Sequence, residues 1–241
     1  MTVSQAELDA LVGPLFTPDG WLPMALRRLE QDRLARLIET DARPAMARAA
    51  RKAGEAVAWS ARRRGWRTAE EALRAQGVDV RQSDAEAASG PFIHHALYAA
   101  PPPRVIVFTR TLDAVEHMLE TTGLRDRIGT VIVREVVLAH ELFHHLARTV
   151  GAPAAVRPEV EVLRLGPWGR HVVVRAAEEI AAAGFAAAWC GVDRAPELLD
   201  CLTLAAYGRS TAPLVGVACA PVQRGQVGQS IPPVRSPRTR T

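Results

Sequence analysis

IGTVIVREVVLAHELFHHLAR, residues 128–148, is the stretch on which the fold turns. Val131, Ile132 and Val133 alone would suit a strand. Val137, His140, Glu141, His144 and Ala147 instead recur at helical spacing, and the segment is long, so the expectation is a largely buried helix beginning near Thr130. It contains His140-Glu141-Leu142-Phe143-His144, an H-E-x-x-H pattern. Histidines at i and i+4 lie one turn apart on one face, so both imidazoles can reach a single tetrahedral Zn²⁺. Glu141 projects beside such a metal rather than onto it, where a carboxylate can take a proton from activated water. A plain core-histidine face is the alternative, but a buried glutamate between two buried imidazoles with no cation present is costly.

A hydrolytic zinc site needs a third protein ligand and one open position. Upstream candidates are His94, His95 and His117; downstream ones are Glu159, Glu161, His171, Glu178 and Glu179. Glu178 and Glu179 stand in AAEEIAAAGFAAAW (176–189), whose small side chains allow close approach to the histidine helix. Positions i+3, i+6 and i+7 from Glu179 are Ala182, Phe185 and Ala186, so Glu179 continues the core-facing stripe and ranks first. Glu178 shares part of that face and ranks second. Both could instead be first-turn acids favoured by the helix dipole.

Working outward, residues 4–16 and 22–64 read as helical, the second stretch split in two by Pro44. Thr68–Gln76 reads as a helix with Thr68 as N-cap and Gly77 at its end. Val78–Val80 reads as a short strand, 82–103 as a loop, Arg104–Thr109 as a buried strand and Leu112–Thr122 as a helix. Residues 159–174 suggest a two-stranded ribbon turning at Gly166–Gly169, with Trp168 exposed at its tip. Helices over Arg175–Cys190 and Pro196–Tyr207 follow, and the chain beyond Val222 reads as disordered. His145 points about 100° away from His144 and reads as structural. His94 and His95 fall in the loop and read as surface positions first, with reach into the cleft as hydrogen-bond donors the alternative, and Cys190 reads as a buried thiol.

The fold class expected is α+β, mostly helical with a small sheet. Three units are expected: a basic helical segment over 1–67, the main domain over 68–219 and a basic tail over 220–241. The net charge of +4 is unevenly spread, because residues 27–67 carry 12 basic and 5 acidic side chains. Such ends read either as a plain solvated face or as suited to weak polyanion or DNA contact. Arg or Glu interrupts every apolar run, which excludes a membrane span. The start has no secretory pattern, and three cysteines without C-x-x-C spacing suggest a reducing cytoplasm.

LAHELFHHL (138–146), followed by EIAAAGFA (179–186), resembles the ImmA/IrrE family of zinc metallopeptidases, which carry T-x-A-H-E-x-G-H and then E-x-x-A-N-x-F-A. The likeness covers roughly residues 68–205. Phe143 stands where the family usually has Gly, Val137 where it has Thr and Ala183 where it has Asn. The resemblance implies a zincin-like domain, zinc held by His140, His144 and Glu179, and Glu141 as general base. It also implies a protein or peptide substrate, such as a transcriptional regulator. The rival readings are a DNA-associated binding protein with an inactive zincin fold, and a zinc hydrolase of a non-peptide amide.

Overall fold

The computed structural model describes residues 12–17, 19–85, 88–89, 92–129, 132–165, 168–192 and 195–208. In chain order the elements are α1 (Leu22–Gln31), α2 (Arg43–Arg62), α3 (Ala69–Ala75), β1 (Asp79–Ser83), β2 (Ala88–Ser89), β3 (Phe92–Ile93), β4 (Ala96–Ala99) and β5 (Arg104–Phe108). Then come α4 (Thr109–Thr121), α5 (Leu124–Ile128), α6 (Val133–Thr149), β6 (Glu159–Leu165), β7 (Trp168–Val173), α7 (Arg175–Cys190) and α8 (Ala195–Ala206). The protein is mostly helical with a small mixed sheet, an α+β arrangement. No helix among the described residues is long and apolar enough to cross a membrane.

The central strand is β5, whose Val105 and Val107 are buried. It pairs in parallel with β1, Val80 opposite Val105, and antiparallel with β4, Leu97 opposite Ile106. The loop expected over 82–103 is therefore corrected: it contains β2, β3 and the edge strand β4. ALYA shows no alternation of its own, and the open edge of β5 is what makes it a strand. The break in 22–64 falls between residues 31 and 43, before Pro44. Pro44 instead lies in the first turn of α2, where its missing N–H costs nothing. Helix α4 starts at Thr109, earlier than expected, and α6 at Val133, after residues 130–131, which lie outside the described residues. Thr68 caps α3 as expected, accepting from the Glu71 N–H at 3.1 Å. Of the helix expected over 4–16, Gly13–Phe16 is 3₁₀ and 4–11 lies outside the described residues. So do the ribbon residues 166–167 and the tail 220–241, while Gly169 belongs to β7.

Two tight packings position α7. A Cβ on Gly54 of α2 would lie 1.9 Å from the Ala181 carbonyl oxygen, and one on Gly184 would lie 2.5 Å from the Arg51 carbonyl oxygen. The two backbones approach so closely that only hydrogen fits. Arg51, itself buried, donates from Nη1 to Glu197 of α8 at 2.8 Å and lies over the Trp21 ring. On the other side, Phe143 of α6 meets Phe185 at 5.7 Å between ring centroids, and Phe185 stacks on Trp189. All three rings are fully buried, so truncating any one to Ala should cost about 3–5 kcal/mol. Polar ties fix the helix ends. Glu135 of α6 accepts from the Ala69 N–H at 2.6 Å and the Trp189 indole at 2.7 Å. Asp32, just past α1, accepts from the Ala176 N–H at 3.0 Å and so satisfies a first-turn donor of α7.

Candidate metal centre

Helix α6 presents His140 and His144 one turn apart, and α7 brings Glu179 against them. The Nε2 atoms of His140 and His144 are 3.2 Å apart. Glu179 Oε2 lies 3.3 Å from His140 Nε2, and Oε1 lies 3.5 Å from His144 Nε2. Bonds of about 2.0–2.1 Å to a tetrahedral zinc would separate the ligand atoms by about 3.3–3.4 Å, close to the two imidazole nitrogens' spacing and to that of each nitrogen from one Glu179 oxygen. The donor set could also hold a cation. Two imidazole nitrogens and a carboxylate converge, and without a shared proton or metal their lone pairs face one another. Among the described residues, His140, His144 and Glu179 form a group that could hold a metal ion, with no fourth protein ligand in it.

Glu178, second choice as a ligand, is placed elsewhere. Its Oε1 lies 3.3 Å from His144 Nδ1, the ring nitrogen turned away from the cluster. Arg157 donates to it from Nε at 3.2 Å and from Nη2 at 3.4 Å. Such a carboxylate fixes the histidine tautomer with hydrogen on Nδ1, leaving Nε2 free to ligate. Glu178 in the first turn of α7 and Glu179 just after it thus lie on opposite nitrogens of the His144 ring. Burial would lower the affinity of His144 for a proton, but Glu179, Glu178 and Glu141 outweigh it and raise its pKa well above the ordinary value. Burial likewise works against the Glu179 charge, yet His144 and His140 hold its pKa well below the carboxylate range.

Glu141 lies beside this group without joining it, only 5% exposed. Burial raises its pKa; the neighbouring His140 and His144 and the Tyr98 backbone N–H of β4 pull it back without cancelling the rise. A carboxylate tuned upward is the better base near neutral pH.

The group opens into a cleft lined by Ile93, His94, His95, Ala96, Val136, Val137, Ala183, Pro196 and Leu199, with Arg28 and Asp200 on its wall. The surface placement expected for His94 and His95 is corrected, since both line this cleft. His95 is held there by Thr203, Nε2 to Oγ1 2.5 Å, and burial together with the charges of His140, His94 and Arg28 pushes its pKa down to about 4. His145 is turned away, its Nδ1 3.0 Å from the Tyr98 hydroxyl, in keeping with a structural role. His117, Glu159 and His171 are exposed and outside the group, as is the half-buried Glu161. Cys190 is half-buried rather than buried, and Trp168 is 79% exposed as expected. Sequence reasoning missed Arg28, Asp200 and Arg157. Asp200 carried a signal, a charge inside the apolar run LLDCL, whereas Arg28 was hidden among many arginines.

No protein family, no curated protein and no solved structure matches the chain.

Proposed function

We propose that the protein is a zinc-dependent metallopeptidase with a zincin-like fold, resembling the ImmA/IrrE family. The observation that carries this reading is the convergence of His140, His144 and Glu179 at zinc-ligand spacing, beside a buried Glu141 and open to a cleft. A structural zinc site would be closed by a fourth protein ligand; the three-ligand group supports a hydrolytic one. A bound zinc supplies Lewis acidity toward water and a carbonyl oxygen. Glu141 accepts the proton of the attacking water and delivers it to the leaving nitrogen. Glu178, braced by Arg157, keeps His144 oriented, and the apolar wall of Ile93, Val136 and Leu199 excludes bulk water. Elemental analysis of the purified protein, followed by hydrolysis assays on a peptide library and on non-peptide amides, tests the reading. Zinc at one per chain with peptide cleavage supports it; cleavage of simple amides alone would favour the non-peptide alternative.

A second reading, polyanion contact, rests on the exposed Arg62, Arg63, Arg64 and Arg67 beside Trp59, at and beyond the end of α2. Other arginines of the basic segment turn away from that surface, Arg28 pairing with Asp200 and Arg51 with Glu197. Binding to duplex DNA that weakens steeply with salt supports this contact, and salt-independent or absent binding removes it.

A further inference from the structure

Among the described residues, Arg28 is the one permanently cationic group lining the cleft, which it reaches from the last turn of α1. Its Nη2 donates to Asp200 Oδ2 of α8, a pair with side chains 13% and 10% exposed. Among the described residues Asp200 is the only acceptor that Arg28 has. The guanidinium is not fully sealed from solvent, since its side chain keeps 13% of its surface exposed. One edge is therefore anchored, and the residue lines the same space as His140 and Glu179.

An anchored guanidinium with free N–H groups suits a planar carboxylate, received as two parallel charge-assisted hydrogen bonds. Because Asp200 already immobilises the side chain, little further ordering is needed on binding. The charge balance also allows it. With a divalent ion present, Glu141, Glu179 and Asp200 are offset by that ion and Arg28, so an incoming anion does not meet a net negative site.

We propose that Arg28 is the specificity-determining residue of the cleft, receiving a substrate carboxylate close to the scissile amide, with Asp200 as its positioning residue. This rests on the metallopeptidase reading. The carboxylate can be the α-carboxylate of a chain end or the side chain of Asp or Glu.

The test uses dipeptide hydroxamates, which anchor on zinc, in matched pairs: free C-terminal acid against carboxamide, and Asp against Asn. Binding to full-length zinc-loaded protein is measured by calorimetry, with zinc content determined for every sample. The acid of at least one pair should bind wild type about 10- to 100-fold more tightly than its neutral mate. The pair that shows the increment identifies the carboxylate's source. The increment should vanish in the Arg28→Gln/Asp200→Asn double variant, which leaves no buried charge unpaired, and survive in part in Arg28→Lys. Equal affinity within both pairs for zinc-loaded wild type overturns the proposal without needing any variant. An increment that persists undiminished in a folded, zinc-loaded double variant also overturns it. Failure of the wild type to take up zinc overturns the metallopeptidase reading instead.

Discussion

Glu178 lies 3.3 Å from Nδ1 of His144, on the side of the ring facing away from Glu179, its own neighbour in the chain. The two consecutive acids thus address the two nitrogens of one imidazole. Glu178→Gln should keep the zinc but weaken its affinity about 10- to 100-fold, the usual effect of losing a ligand's hydrogen-bond partner. Glu179→Gln should lose far more. Competition against a chelator of known affinity checks this, and equal losses would make Glu178 a ligand.

Glu141→Gln should remove hydrolysis while leaving fold and zinc in place. Gln keeps the volume and still accepts a hydrogen bond, but it cannot take a proton from water at neutral pH. The rate should fall by about 10²–10⁴. Zinc content and turnover measured on the same sample decide it, and an active variant rules the mechanism out.

Gly54→Ala should destabilise the protein by about 3 kcal/mol or more, because its Cβ meets the Ala181 backbone rather than a yielding side chain. Gly13→Ala, whose Cβ would have nothing within 4 Å, is the control and should change little. Urea denaturation midpoints read both. A mild Gly54→Ala would mean that α2 and α7 can separate without loss.

His95 makes stability depend on pH in the mildly acidic range. Its folded pKa of about 4 lies below the ordinary 6.5, so between these values the unfolded chain binds the extra proton. The contribution is complete above pH 6.5 and is lost as pH falls toward 4, by about 1–3 kcal/mol. His94 and His145, also lowered by burial, add slopes of the same sign. In chelator-treated protein, His95→Asn should flatten the fall in unfolding free energy between pH 6.5 and 4; an unchanged slope would assign it to other groups.

Burial pushes the Cys190 thiol up to about 12 and that of Cys201 higher still. Since the thiolate is the reactive form, neither should be alkylated at neutral pH while the protein is folded. Mass spectrometry after iodoacetamide treatment, with and without urea, should show both modified only on unfolding.

The helix bearing H-E-x-x-H, its apolar period and the shared face of His140 and His144 were legible in the sequence, because a helix repeats every 3.6 residues and makes i and i+4 neighbours. That Glu179 faces both Nε2 atoms was legible for the same reason, as its stripe runs through Ala182, Phe185 and Ala186. Strand β4 was not, since ALYA becomes a strand only when β5 offers it an edge. Nor were the partners of His144 and Arg28: Glu178 lies 34 residues from the one and Asp200 172 from the other. Local periodicity is written into the chain because covalent geometry imposes it. Contacts across such separations have no period and arise only when α1, α6, α7 and α8 pack around one core, leaving each buried charge to find the partner that packing brings within reach.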